Sequence, residues 1–294
     1  GAVFAYMANR VLVEDSSFIN NHAIASHFGD YVLADNDGGA GLILYTSDKT
    51  EFLNTHFSGS SGGMGGHLYL ESLPSLSIQN SKLELGTAWY GGALYVNTLT
   101  GDFDLQSSSF EGNAALGGGA VYLNIYEAEL AIIDCTFTFN SALDAGSDAV
   151  SSYGGALIIS NTNVYLALVL LRCSLVNNSA THNGGAVYMK QASYMYLVVH
   201  DSLLEGNSAG EGGGAVYLEH ESTPASDHWA LNISVCGIDG HGGPVAVNPT
   251  SKEQRRLPSV SFLVDFTGAA SSLLCSFAVL LLRSVCGSLR AHAF

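Results

Sequence analysis

Apolar and polar residues alternate in short runs along the first 248 residues, and Gly, Asn and Ser residues separate these runs. Alternation with a period of two is typical of β-strands, and no stretch keeps the 3.6-residue period of a helix. The pattern therefore predicts an all-β protein that is built from many short strands.

Pairs of glycines divide the strands into repeats. Eight Gly-Gly pairs occur at intervals of 26 to 36 residues, and they begin at positions 38, 65, 91, 118, 154, 184, 213 and 242. Most pairs open the same strand, which reads Gly-Gly-Ala-Val-Tyr-Leu at residues 118–123 and again at 213–218. Self-similarity at such a period indicates a solenoid of stacked coils.

A second phrase precedes the glycine pairs and consists of an aromatic residue or Leu, then Asn three residues later and Ala five residues later. It occurs, for example, as Phe110, Asn113 and Ala115. Each repeat thus supplies about three strands, and stacked coils pair the backbone of each turn with the next. We predict a single-stranded right-handed parallel β-helix over residues 1–248, with about eight coils of 26–36 residues.

The Asn of this phrase recurs in register, so its copies should stack as a structural ladder that satisfies the bent backbone and tolerates left-handed geometry. The predicted ladder comprises Asn21, Asn113, Asn140, Asn178 and Asn207. The same register makes Cys135 and Cys173 near neighbours. We expect two free buried thiols there in preference to a disulfide.

A column of tyrosines is the main candidate for ligand binding. In the strand that follows each glycine pair, Val and Leu share one face and Tyr lies on the other. With Val and Leu inside, the Tyr column faces outward, and Ile158 interrupts it; its members are Tyr69, Tyr95, Tyr122, Tyr188 and Tyr217. Exposed rings would suit sugar rings or an apolar partner surface. Alternatively, the rings stack on each other or lie under neighbouring loops and stabilise the sheet.

Repeated Gly-Gly-Ala-[Ile/Leu/Val] and Phe-x-x-Asn phrases resemble those of the polymorphic outer membrane protein family of chlamydiae, and the resemblance covers residues 1 to about 248. It implies a pectin-lyase-like β-helical passenger that is displayed at the cell surface, in the outer membrane or secreted outside the cell, and that is used in adhesion. The partner would be a protein or glycan on a host or neighbouring cell.

Charge is unevenly distributed along the chain. Residues 1–250 carry 24 acidic and five basic side chains, which gives this part a charge of −19. Phosphate backbones are repelled by such a surface, so nucleic acid is excluded as a partner.

The repeat ends near Asn248, and the remaining residues form three predicted segments. Residues 249–259 are a polar basic linker, 260–282 are a hydrophobic tail, and 283–294 are a short C-terminal tail. The hydrophobic tail is long enough to span a bilayer and is a candidate membrane anchor. The alternative is a cap on the solenoid. Because the chain opens inside a repeat, it reads as a fragment of a longer protein.

Candidate chemistry is sparse in the sequence. Asp239 and the Gly-His-Gly phrase around His241 resemble the corresponding phrase of polygalacturonases, but no Asp-Asp pair precedes it. Residues 35–38 offer oxygen ligands for Ca²⁺ but lack the Glu that an EF-hand loop requires. We therefore expect no catalytic residues, no metal site and no cofactor. A non-enzymatic adhesion or display module is favoured. The alternatives are a carbohydrate-active hydrolase or lyase on the same fold, and a structural surface-layer or filament subunit.

Overall fold

The computed structural model describes residues 3–23, 39, 41–44, 46, 48–125, 128–143, 152–161, 165–191, 194–220, 228–241, 245–249 and 261–264. All regular elements in these ranges are β-strands. In chain order the strands are β1 (Val3–Tyr6), β2 (Val11–Glu14), β3 (Ser17–Ile19), β4 (Gly41–Leu44), β5 (Lys49–Leu53), β6 (His56–Ser58), β7 (Leu68–Leu73), β8 (Ser75–Gln79), β9 (Lys82–Glu84), β10 (Leu94–Leu99), β11 (Phe103–Gln106), β12 (Ser109–Glu111), β13 (Ala114–Ala115), β14 (Val121–Ile125), β15 (Ala128–Ile133), β16 (Thr136–Thr138), β17 (Ser141–Ala142), β18 (Leu157–Asn161), β19 (Tyr165–Leu171), β20 (Ser174–Val176), β21 (Ser179–Ala180), β22 (Val187–Gln191), β23 (Tyr194–Ala209), β24 (Val216–His220), β25 (His228–His241), β26 (Val245–Pro249) and β27 (Ser261–Val264).

The strands that follow the glycine pairs form one parallel sheet, which we call sheet A. Its nine strands lie in the order β1-β4-β7-β10-β14-β18-β22-β24-β26. Equivalent repeat positions pair directly, so Tyr95 lies opposite Tyr69 on one side and opposite Tyr122 on the other. The remaining strands form the other walls of each coil, and they also pair in parallel from coil to coil, as β11 does with β15 and β12 with β16. This confirms the predicted parallel β-solenoid.

At two corners of the coil, the chain bends at a single residue that has a positive φ. At the first corner the left-handed residues include Asn80, Ser107 and Asp134, and at the second they include Gly112 and Asn177. A third left-handed residue is the first Gly of each pair, as at Gly91. Its partner is constrained by packing, because a Cβ on Gly92 would lie 2.2 Å from the carbonyl oxygen of Gly119 in the next coil. The glycine pairs therefore recur along the chain because the geometry of stacking requires them.

The interior is filled by columns of apolar side chains, one from each coil. In sheet A, Leu94, Val96, Val121 and Leu123 are fully buried, which confirms that the residues flanking each Tyr face inward. In the opposite wall Phe110 stacks on Phe137 with ring centroids 4.8 Å apart. Burial of these columns is the main stabilising contribution of the fold, since each coil can cover its apolar side chains only by stacking.

The solenoid has about five turns, fewer than the about eight coils that the sequence predicts. Sheet A pairs nine strands, and several of them, such as β4 and β26, adjoin stretches that lie outside the described residues. Past residue 248, Ser261–Val264 form β27, which pairs in parallel with β25. This strand falls within the predicted hydrophobic tail, and the rest of 260–282 lies outside the described residues.

Candidate binding surfaces

The Tyr column lies on the outer face of sheet A, and its rings stack on each other, which is the second of the two interpretations that the sequence leaves open. Tyr69, Tyr188 and Tyr217 are 4%, 3% and 9% exposed, and Tyr95 and Tyr122 are half-buried. Neighbouring rings cover each other: the Tyr69 and Tyr95 centroids are 5.4 Å apart, and those of Tyr95 and Tyr122 are 5.1 Å apart. The ring faces are thus used for stacking within the sheet.

Two further tyrosines complete the cover over this column. Tyr153 stacks on Tyr188 at 4.5 Å, and Tyr90 meets Tyr122 edge to face at 5.4 Å. Each of them directly precedes a glycine pair, and the left-handed Gly that follows turns the chain back over the strand. Both tyrosines are recognisable in the sequence as an aromatic residue directly before Gly-Gly, but the sequence analysis missed them.

A polar column runs beside the tyrosines on the same face. The side-chain amide of Asn124 donates to Oδ1 of Asn97 at 2.9 Å, and the Tyr69 hydroxyl donates to Glu71 Oε2 at 2.7 Å. The Tyr188 hydroxyl donates to Glu219. Burial, followed by this bond to the carboxylate, raises the pKa of Tyr188 well above its usual range. Tyr188 is therefore a neutral hydrogen-bond donor at physiological pH.

Two adjacent coils of sheet A carry a row of half-buried side chains that combines rings and amides. The row consists of Tyr95, Tyr122, Asn97 and Asn124. Burial raises the pKa of Tyr95 to about 12, so its hydroxyl stays protonated. Ring edges, hydroxyls and amides in one row can contact a polar ligand such as a sugar.

The predicted Asn ladder runs continuously through four of its five members. The backbone N–H and the side-chain amide of Asn113 both donate to Oδ1 of Asn140 at 3.0 Å. Asn140 contacts Asn178, and Asn178 contacts Asn207, in the same way. Each amide also donates to a backbone carbonyl of the preceding coil, as Asn140 does to Phe110 at 3.0 Å. All four side chains are fully buried.

The fifth member and the backbone geometry differ from the prediction. Asn21 is half-buried, and its backbone N–H donates to the hydroxyl of Ser60, because Ser60 stands at the ladder position of the next coil. The left-handed residue is the one that precedes the ladder Asn, as at Asn177 and Asn20. The ladder Asn therefore serves as a bridge between coils, and its neighbour makes the bend.

A second ladder of hydroxyls and thiols follows the first corner, and sequence reasoning missed it. The Ser81 hydroxyl donates to the carbonyl of Gln79 at 2.8 Å and accepts from the backbone N–H of Thr55 at 3.1 Å. The Ser108 hydroxyl repeats both contacts one coil later. Cys135 and Cys173 occupy the same column, and the Cys135 thiol donates to the carbonyl of Ile133 at 3.2 Å. Small side chains with one donor recur every coil at this position.

Both thiols are free and buried, as expected. Burial raises the pKa of Cys135 to about 12 and also raises that of Cys173. We therefore expect iodoacetamide at pH 8 to leave both thiols unmodified in the native chain and to alkylate them in urea, because the thiolate is the reacting form. Peptide mapping by mass spectrometry measures each thiol separately. Native alkylation as fast as in urea would show that this column is not buried.

His67 interrupts the Asn ladder near its start. It occupies the position that Ala93 and Ala120 hold in later coils, and it is fully buried. Its ring lies beside Gly86, where later coils have the ladder Asn, and Nε2 is 3.1 Å from the carbonyl oxygen of Glu84. Nδ1 has no hydrogen-bond partner within the described structure. Burial is the largest cause that lowers the pKa of His67 to about 4.

The structure bears on metal binding only within the described ranges. There, no group of three or more His, Cys, Asp or Glu side chains is placed to hold a metal ion. The candidate Ca²⁺ ligands at residues 35–37 and the side chains of Asp239 and His241 lie outside the described residues.

The repeat itself connects the chain to known proteins. Residues 172–190 and 201–219 match the family model of the Chlamydia polymorphic membrane protein (Chlamydia_PMP) repeat. Each match spans one ladder Asn, one glycine pair and the start of the following sheet A strand. Two segments of the chain are therefore similar to the polymorphic membrane protein repeat. They form part of the parallel β-solenoid, and the family of this repeat points to an outer-membrane or surface location.

Two other comparisons add nothing to this assignment, since no curated protein and no solved structure matched the chain. Across the described residues, the structure contains no helix that is both long and apolar enough to cross a membrane. The polymorphic membrane protein repeat is therefore the link from which a function is inferred.

Proposed function

We propose that this chain is a non-enzymatic adhesion module, displayed at a cell surface, that binds a protein or glycan of a neighbouring or host cell. The polymorphic membrane protein repeat and the charge of −16 support this proposal. A strongly acidic exterior favours solubility outside the cell and selects partners by charge.

One observation carries the proposal: every inward column of the repeat is occupied by structural contacts. Leu and Val fill the core, Asn113 and Asn140 join the coils, and Ser81 and Ser108 do so at the other corner. Outside the Tyr column, the outward side chains differ from coil to coil more than the inward columns do. Recognition by such a protein rests on its lateral surface, as is general for solenoids.

Cell adhesion tests the proposal directly. Beads coated with the full chain should bind cultured epithelial cells, and beads coated with the same chain after unfolding in urea should not. Pretreating the cells with protease or with glycosidases then assigns the partner class. Equal retention of both bead types would contradict specific adhesion. Release of reducing ends from pectin by the full chain would favour the enzymatic alternative.

For a glycan partner, the half-exposed row on sheet A supplies the contacts that we propose. Changing Asn97 and Asn124 to Ala should weaken glycan retention on an array about tenfold, since two amide hydrogen bonds are lost. The urea midpoint should fall only slightly, because both side chains are half-buried and only the hydrogen bond between them is lost. If the array retained the folded variant as strongly as the native chain, sheet A would not be the glycan-binding surface.

A further inference from the structure

The outward face at the second corner differs from the rest of the solenoid in three adjacent coils. We call this face the apolar corner. Bridges between Thr87 and Ala114, and between Ala114 and Ser141, hold its three coils side by side. It consists of residues that alternate outward along each coil: Leu85, Thr87 and Trp89; Gly112, Ala114 and Leu116; and Phe139, Ser141 and Leu143.

Large apolar side chains stand at the four outer positions of the apolar corner. Leu85 is 58% exposed, Trp89 60%, Phe139 61% and Leu143 53%. The central positions carry small residues, including Gly112, Ala114 and Ser141. Large groups around a small centre leave room for a partner's side chain to seat between them. Contiguous exposed apolar surface of this kind marks interaction sites in soluble proteins.

The same positions in neighbouring coils are polar or small. One coil earlier they are Gly59, Ser61 and Gly63, and one coil later they are Asn177, Ser179 and Thr181. The fold therefore does not require apolar residues here. At these positions the three coils of the apolar corner carry large apolar residues, whereas the neighbouring coils carry polar or small ones.

Backbone strain at this corner supports a function. Leu85 and Phe139 both have a φ of 57°, in the left-handed region that suits Gly and Asn. Other coils place Asn20, Gly59 and Gly206 at this position. A branched or aromatic residue in this region is a costly choice, and such outliers cluster at binding sites. The backbone is therefore strained at these two positions, and each position exposes a large apolar side chain.

Gly112 lets the two strained residues act together. It lies between them in the column, and a Cβ on it would come within 3.1 Å of Leu85 Cδ2. The Leu85 side chain thus lies over Gly112, toward Phe139 two coils away, a step of roughly 10 Å. The Leu85 side chain therefore covers part of the middle coil of the apolar corner.

The charged residues around the apolar corner favour a basic partner. Glu84 and Glu111 border it directly, and Lys82 lies between them, 3.7 Å from Glu111. The carboxylate of Glu111 is 50% exposed and faces solvent. With a chain charge of −16, a second copy would add repulsion, whereas a basic partner would be attracted.

We propose that the apolar corner binds a partner protein through an apolar side chain flanked by Lys or Arg. The inference rests on the adhesion function proposed above and assigns it a surface. Leu85, Trp89, Phe139 and Leu143 enclose the apolar side chain of the partner, and Glu111 pairs with a flanking cation. Affinity depends on the apolar contact, and the rate of association depends on salt.

Short peptides of defined charge test this proposal on the full chain. The probes are a fluorescein-labelled hexapeptide of alternating Lys and Leu, its Glu-Leu counterpart and its Lys-Ser counterpart, each followed by fluorescence polarisation. The Lys-Leu peptide should bind at least about tenfold more tightly than the other two. The double variant Leu85→Asn, Phe139→Asn should lose about tenfold in affinity for it. Leu203→Asn, at a different exposed apolar residue, should leave the affinity unchanged.

Stability separates a binding role from a structural one. Asn tolerates left-handed geometry, so the double variant should have a urea midpoint equal to or above that of the native chain. A lowered midpoint would mean that these side chains support the fold. Equal peptide affinity of native and variant chains, equal binding of the Glu-Leu peptide, or dimerisation of the native chain that the variant lacks would each overturn the proposal. If beads coated with the variant adhere to cells as well as native beads do, adhesion stands and this surface for it does not.

Discussion

Replacing Asn140 by Ala is expected to lower the free energy of unfolding by about 4 kcal/mol, because several fully buried polar groups lose their partners at once. The backbone N–H and the side-chain amide of Asn113 lose their acceptor, and the carbonyl of Phe110 loses a donor. Asn140 is fully buried, so the groups that lose their partners lie in the core, away from bulk water. Urea unfolding followed by far-ultraviolet circular dichroism measures the effect.

A matched control removes an amide from the surface. Asn124 bonds to Asn97 in the same coil-to-coil manner, but it is half-buried on the outer face of sheet A. Its change to Ala should cost about 1 kcal/mol or less. Equal losses in Asn124→Ala and Asn140→Ala would mean that the buried ladder stabilises the solenoid no more than an outer contact does.

Acid should destabilise the solenoid through His67. Its pKa of about 4 in the folded chain lies below the ordinary value of 6.5, because burial opposes the charged ring. The unfolded chain therefore binds this proton more readily, and stability that is present above pH 6.5 is lost as the pH falls toward 4. The size of this contribution is about 3 kcal/mol.

Comparison with His67→Gln isolates this contribution. Gln remains neutral at every pH and can donate to the carbonyl of Glu84 as the ring does. Urea midpoints of both chains, measured from pH 8 to pH 4, should run parallel above pH 7 and diverge below it, with the native chain falling more steeply. Parallel curves over the whole range would mean that His67 binds its proton as readily in the folded chain as in the unfolded chain.

Much of the fold could be predicted from the sequence because its determinants repeat. Gly91 recurs where the backbone is left-handed, Gly92 recurs where the next coil leaves no room for a side chain, and the ladder Asn recurs where coils need a bridge. A constraint that acts once per coil leaves the same residue in each coil. The hydroxyl and thiol ladder escaped notice because Ser, Thr and Cys share its chemistry under different letters.

The candidate surfaces were harder to predict because exposure depends on what lies over a strand. Alternation correctly placed Tyr95 and Tyr188 outside the core, but it could not show that Tyr90 and Tyr153 fold back over the same face. The special positions of Leu85 and Phe139 could not be recognised from the sequence pattern for another reason. Only the backbone reveals that each occupies a left-handed position that other coils give to Gly or Asn.

Hydrogen exchange at the ladder amides is the most direct test of the stacked coils on which every proposed surface depends. The backbone N–H groups of Asn113, Asn140 and Asn178 each donate to the amide oxygen of the next ladder Asn at 3.0 Å inside the core. Measured on the native full chain, these three amides should be among the slowest to exchange and should be released together on unfolding. Exchange of these amides within seconds, as fast as in unfolded peptides, would contradict the in-register solenoid.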